Sequence, residues 1–159
     1  MAKITLRDTK NNQIFKFDRV KLARDFCEEY ENPNDLVMSK VFYCDGSGFN
    51  GKTSAICYGL ESNLKLEILN ENITNNVAEY RALISCMLES GYFDIILSDS
   101  LLAVNQINGS YKVLNPHLLV LCKKCIFLMK QKKLLISWIS RDINLAGIYI
   151  DKKYKRGKK

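Results

Sequence analysis

Apolar residues recur along this chain at two different periods, and the switches between them mark out its elements. Residues 40–44, 53–60 and 64–69 are short strand-like runs separated by Gly-rich or Ser-Asn turn residues, which predicts three strands in an antiparallel meander. Val77, Tyr80, Leu83, Ile84 and Met87 then fall at helical spacing, so a helix is expected over about residues 76–90, ended by Gly91. A strand over 94–98 follows, then a short helix over 101–107 and a longer one over 116–130 with Pro116 in its first turn. An apolar strand over 134–139 leads into a last helix from about residue 142 into a basic tail. The order predicts an α/β fold: a five-stranded mixed sheet with helices on both faces.

The first 38 residues have a different texture. Residues 4–7 and 13–17 read as short strands around the turn-like Thr9-Lys10-Asn11-Asn12. A helix over about 19–30 carries the stripe Ala23, Phe26, Cys27 and Tyr30, with Asp18 placed to cap it. Asn32-Pro33-Asn34-Asp35 stops that helix and marks a boundary. The expected organisation is an appendage of residues 1–38, too small to fold alone, a main domain over 39–151 and a tail over 152–159.

With 159 residues, 47% of them hydrophobic, the chain has material for one substantial core. No run approaches the roughly 20 apolar residues of a membrane span, and residues 1–4 hold no apolar signal core, so a cytoplasmic, membrane-free protein is expected. Six cysteines then read as reduced core residues, including the C-x-x-C pair Cys122 and Cys125 inside a helical pattern. Of the net charge of +7, the tail contributes six positive charges. A basic tail attracts any polyanion, nucleic acid and acidic membrane surface alike.

Four acids fall at the ends of predicted elements: Asp45 in or just after the first meander strand, Glu79 in the helix after it, Asp99 after the fourth strand and Asp151 in the last helix. Neighbouring strands lie about 4.8 Å apart, so Asp45 and Asp99 on adjacent strands would share one hard cation. Several close carboxylates repel one another and take up protons unless such an ion relieves them. Each acid also has a local reading: Asp45 can hold a bend before Gly46-Ser47-Gly48, and Asp99 can cap the next helix.

The motifs weigh against those local readings. Phe42-Tyr43-Cys44-Asp45-Gly46-Ser47 resembles the first-strand motif of ribonuclease H. Thr74-Asn75-Asn76-Val77-Ala78-Glu79-Tyr80-Arg81-Ala82-Leu83 is similar to the T-N-N-x-A-E-x-x-A-L helix of that family, and Ser98-Asp99-Ser100 to its D-S motif. The segment 101–113, with Val104-Asn105-Gln106 and Gly109-Ser110-Tyr111-Lys112-Val113, resembles the bacterial and archaeal branch of the type 1 enzymes. The resemblance covers residues 41–151 in family order and implies a ribonuclease H-like fold. It also implies an endonuclease that cuts the RNA strand of an RNA–DNA hybrid, leaving 5′-phosphate and 3′-hydroxyl ends. Asp45, Glu79, Asp99 and Asp151 would hold two Mg2+ or Mn2+ ions and catalyse, the protein acting as a monomer. Gly46, Ser47, Gly48, Asn75, Asn76, Ser100, Arg141, Lys152 and Lys153 would contact the hybrid, Asn75 being equally a helix N-cap.

The chain departs from the family at its last acid. The usual R-x-x-N-x-x-A-D is here Arg141-Asp142-Ile143-Asn144-Leu145-Ala146-Gly147-Ile148, with no carboxylate four residues after the asparagine. Asp151, about one helical turn further on, is expected to supply it; Asp142 is the rival. Gly147 costs helix stability, which points to close backbone packing. His117 and Trp138 are expected to be structural, Trp138 in the core. The basic helical protrusion of some relatives is missing, which shifts hybrid affinity toward the first 38 residues and the tail. Two alternatives stay open: a resolvase or DNA-directed nuclease of the same superfamily, and a hybrid-binding module whose catalysis has weakened.

Overall fold

In the computed structural model, which describes residues 3–155, the strands fall into two sheets. The first is small and antiparallel: β1 (Ile4–Asp8), β2 (Ile14–Phe17) and β3 (Leu36–Met38), in the order β2-β1-β3, with α1 (Val20–Glu29) between the second and third strands. Strand β3 was not expected, because three residues are too few to display a period; its pairing with β1, Leu6 opposite Met38, is what makes it a strand. Phe15, Phe17, Phe26 and Tyr30 join α1 to this sheet, with ring centroids 4.5 to 5.5 Å apart. Asp8 accepts from the Tyr30 hydroxyl (2.7 Å) and from the N–H groups of Lys10 and Asn11, which ties the hairpin to the helix end. Asp18 does not cap α1. Arg19 holds the N-cap position in extended conformation, so Asp18 lies one residue too early to reach the first free N–H groups.

The second sheet has the expected five strands, β4 (Val41–Ser47), β5 (Ser54–Leu60), β6 (Asn63–Leu69), β7 (Ile95–Ser98) and β8 (Leu135–Trp138), in the order β6-β5-β4-β7-β8. The meander β4-β5-β6 is antiparallel, and β4, β7 and β8 run parallel. Alternation along β4 and β5 divides the core. Phe42, Cys44, Ile56 and Tyr58 bury against α2 (Asn75–Glu89), whose other side packs on α4 (Pro116–Lys132) through Leu83, Met87, Cys122 and Cys125. Cys57 and Tyr43 meet Ala146 and Ile150 of α5 (Leu145–Ile150) on the opposite face. Helix α3 (Leu101–Ile107) sits between α4 and β8. Lys132 Nζ donates to the carbonyls of Met87 (2.7 Å) and Ser90 (2.6 Å), placing a cation on the negative end of α2. No helix among the described residues is long and apolar enough to cross a membrane.

The last helix differs from expectation. Residues Arg141–Ile143 form a 3-10 turn, Asn144 caps α5 three residues later than predicted, and after Ile150 the chain widens into a π turn over Asp151–Lys155. The rest of the basic tail, residues 156–159, lies outside the described residues.

The small sheet joins the large one at a single end. Arg7 Nη1 donates to the carbonyl of Lys133 (2.9 Å), Ser39 Oγ to that of Phe93 (2.7 Å), and the Lys40 N–H to Asp94 Oδ1 (2.8 Å). All three acceptors lie where β7 and β8 begin.

Candidate metal centre

The acids gather where those parallel strands finish. Cys44 of β4 pairs with Ser98 of β7, so Asp45 and Asp99, one residue further along each strand, leave the same edge of the sheet. Asp45 lies within β4 itself, which extends three residues beyond its expected end. Glu79 comes from α2, across the other face, and reaches them because residue 46 is glycine. A Cβ there would lie 2.2 Å from the Ala78 carbonyl carbon and 2.4 Å from the Glu79 nitrogen. Gly48 allows the same approach one turn earlier: its Cβ would meet the Asn75 nitrogen at 2.5 Å, and its N–H donates to Asn75 Oδ1 (2.7 Å). The cap of α2 is Thr74, whose Oγ1 accepts from Val77 N–H, so Asn75 is the first helical residue.

From the other side, buried Asn144 donates through Nδ2 to the Cys44 carbonyl (3.0 Å) and accepts the Ala146 N–H (3.2 Å). It thereby locks the start of α5 beside Asp45. A Cβ on Gly147 would lie 3.1 Å from Asp45 Oδ2, which accounts for the glycine there.

One oxygen each from Asp45, Glu79 and Asp99 lies within 4.8 Å of the other two. Asp45 is 1% exposed, and two further oxygens, Glu79 Oε2 and Asp99 Oδ1, are buried without a hydrogen-bond partner. Burial, then the charge of Asp99, pushes the Asp45 carboxyl up to about 7, against the opposing pull of Arg141. Burial followed by Asp45 and Asp99 pushes Glu79 up to about 9, opposed by Arg141 and a Gly46 backbone hydrogen bond. Carboxyl oxygens this close either keep protons or are relieved by a hard cation, and this all-oxygen group is one that could hold such an ion.

A guanidinium faces the group. Arg141 Nη1 lies 3.0 Å from Asp99 Oδ2 and 3.5 Å from both Asp45 oxygens, and Nη2 lies 3.5 Å from Asp151 Oδ1. Burial alone would lower the arginine pKa; Asp45, Asp99 and Asp151 together raise it. Asp151 is thus half-exposed at the rim, joined through Arg141 to two of the three inner acids, Asp45 and Asp99. Asp142 is exposed and bonded to Ser140 Oγ, and Asn144, not Asp142, caps the helix.

The other residues singled out by sequence are spread around this edge. Gly46 and Gly48 are buried under α2, with Ser47 half-buried between them; Asn75 and Asn76 are exposed at the helix start. Ser100, rather than Asp99, caps α3 by accepting the Ala103 N–H, while Lys152 and Lys153 are exposed on the π turn. Trp138 is not in the core. As the last residue of an edge strand it is 46% exposed, and its indole N–H donates to the Asp99 carbonyl (3.2 Å). His117 is exposed at the start of α4. Sequence reasoning missed Tyr154, whose hydroxyl accepts from Asn50 Nδ2 (2.6 Å) and donates to the Thr53 carbonyl (2.8 Å), holding the π turn against the β4–β5 loop. Nothing in the basic run around it signals that role. Asn144 did carry a signal, as the asparagine of R-x-x-N.

A family model described as reverse transcriptase-like matches residues 47–149, a stretch that includes Glu79, Asp99 and Arg141 and stops just short of Asp45 and Asp151. Among solved structures, the N-terminal RNase H domain of a Mycobacterium tuberculosis protein, determined as a fusion with maltose-binding protein, is 26% identical. That match covers 69% of this chain and 92% of the other, with a TM-score of 0.58. LC11-RNase H1, solved in complex with an RNA/DNA hybrid, is 24% identical over 75% of this chain and 99% of its own, with a TM-score of 0.61. RNase H1 from the halophilic archaeon Halobacterium salinarum is 21% identical over 69% and 91%, with a TM-score of 0.60. The chain belongs to the reverse transcriptase-like family of ribonuclease H domains.

Proposed function

We propose that the protein is an endonuclease that hydrolyses the RNA strand of RNA–DNA hybrids and leaves 5′-phosphate and 3′-hydroxyl ends. The observation that carries this reading is the convergence of Asp45, Glu79 and Asp99, from a strand, a helix and a strand end, with two buried oxygens unpartnered. These three residues, with Asp151 at the rim, would hold two Mg2+ or Mn2+ ions. Such ions, when bound, activate water and neutralise charge at the scissile phosphate.

The chain's own residues do the rest. Asp45, packed between Gly147 and β5, is the most deeply buried of the acids and would set the position of the centre. Asn75 and Asn76 open α2, where free N–H groups and the helix dipole favour a phosphate, and hydrogen bonds to 2′-hydroxyls would select the RNA strand. Ser47 and Ser100 would form the walls of the contact, backed by the buried Gly46 and Gly48, with Lys152 and Lys153 adding sequence-independent attraction. LC11-RNase H1, which shares the fold, was solved with the class of substrate assigned here. In this reading residues 39–151 are the nuclease domain, 1–38 an appendage and 152–159 a tail.

A labelled hybrid, double-stranded RNA and duplex DNA, each incubated with Mg2+, Mn2+ or EDTA, test the proposal. Cleavage of the hybrid's RNA strand alone, abolished by EDTA, is expected; equal cleavage of duplex DNA would make the protein a DNA-directed nuclease. Ile148, standing where the family has its fourth acid, favours a second reading as a hybrid-binding module. Hybrid binding without cleavage under either metal would establish that one instead.

A further inference from the structure

Arg141 is the one cation in contact with the acid group among the described residues, and its placement resembles that of an ion. Its guanidinium touches acids from three parts of the chain, Asp45 on β4, Asp99 after β7 and Asp151 after α5. Three of its four contacts are 3.5 Å long, at the limit of a hydrogen bond, so charge rather than directed bonding holds it there. Its surroundings are close: Gly147, whose Cβ would press on Asp45 Oδ2 at 3.1 Å, would meet Arg141 Cζ at an ordinary contact distance of 3.8 Å.

We propose that Arg141 is a resident counter-ion, which occupies the cation position of the metal-free protein and is displaced when a divalent ion binds, so that it sets the affinity of the centre. The inference rests on the metal reading above. A guanidinium brings one positive charge and leaves Glu79 Oε2 and Asp99 Oδ1 without partners, whereas a divalent ion brings two charges and a coordination shell that takes in those oxygens. Two cations on the same carboxylates repel each other, so arrival of one releases the other. The exit is open: Arg141 is half-exposed and stands on a short 3-10 turn at the surface. Released there, its planar fork of donors is matched to a phosphate.

Exchange has a reciprocal signature, because whatever Arg141 contributes to the metal-free fold is subtracted from metal binding. Mn2+ binding to the full chain, followed by calorimetry, is therefore compared between wild type and Arg141→Gln. Thermal melts of both proteins are recorded in EDTA and in saturating Mn2+. The variant is expected to bind Mn2+ about 3- to 10-fold tighter, the range set by one partly exposed ion-pair network. It is also expected to melt below wild type in EDTA and level with it in Mn2+. Lys153→Gln, which removes an exposed neighbouring charge outside the group, is expected to change the affinity less than about 2-fold.

Equal or weaker Mn2+ binding by Arg141→Gln overturns the proposal, as does a melting gap that persists in saturating Mn2+. An effect of Lys153→Gln as large as that of Arg141→Gln overturns it as well, since a general field would then explain both. If wild type and variant alike bind no Mn2+, the metal centre itself falls and the counter-ion with it. Loss of hybrid specificity with Mn2+ binding intact would remove only the assigned substrate.

Discussion

A Cβ on Gly46 would stand 2.2 Å from the carbonyl carbon of Ala78, so α2 rests directly on the backbone of β4 with no side chain between them. This contact brings an acid from a helix and an acid from a strand to one point. Gly46→Ala is expected to lower stability by about 3 kcal/mol, the upper end for overpacking because the clash is with backbone. It should also separate Glu79 from Asp45 and cost hybrid cleavage. Urea melts and a cleavage assay check both effects, and cleavage at the wild-type rate would show that the approach is not needed.

The acids are crowded enough that the metal-free protein should weaken as pH rises. Asp45 and Glu79 keep their protons up to about 7 and about 9 in the folded protein, against ordinary values of 3.8 and 4.5. Between those limits the folded state holds more protons than the unfolded chain, so unfolding is favoured by increasing pH. Asp99, Asp151 and Arg141 face the same space, and the arginine already offsets part of the effect. Melting in EDTA is expected to fall steadily between about pH 5 and pH 9, and added Mg2+ should flatten the curve. A melting temperature that climbs over that range would contradict it.

Removing one inner carboxylate separates stability from activity. Glu79→Gln replaces a carboxyl that must take up a proton on folding, so it should melt at or above wild type in EDTA, and Glu79→Gln and Asp99→Asn should each lose cleavage by about 100-fold or more. A variant that both melts lower and keeps activity would mean that the carboxylate is structural.

The rim acid offers a test of position. Asp151 reaches the group through Arg141, one turn beyond Ile148 where the family carries its acid. Asp151→Asn should reduce cleavage, and Ile148→Asp in that background should restore it. Failure of the double variant would show that the two positions do not address the same point.

Tyr154 ties the π turn to the β4–β5 loop by hydrogen bonds to Asn50 and Thr53. Tyr154→Phe should cost about 1 to 2 kcal/mol in thermal melts. Replacing both Lys152 and Lys153 with alanine should instead lower the slope of log affinity against log salt by up to about 2, with little change in melting.

The large sheet was legible because its strands and helices are long enough to show a period, and Asp45, Glu79 and Asp99 because each sits inside a motif. What the sequence hid was short or depended on contacts between distant parts. Strand β3 has three residues and exists through its pairing with β1. The late start of α5 follows from Asn144 bonding the Cys44 carbonyl, a hundred residues away in the chain. Trp138 reads as core by composition, yet as the last residue of an edge strand it has too few neighbours to cover it. Arg141 was visible as a basic residue of the last motif, but its place among the acids needs the fold that assembles them.

The attachment of the small sheet through Arg7 and Ser39, at the starting ends of β7 and β8, puts residues 3–38 about one strand length, roughly 13 Å, from the carboxylates. That distance divides labour along the molecule. Surface residues of the small sheet can therefore change without crowding the acids. Arg7, Ser39 and Lys40 hold the sheet where β7 and β8 begin, whereas Asp45 and Asp99 leave the edge where β4 and β7 finish, so one short stack of strands carries a different task at each end.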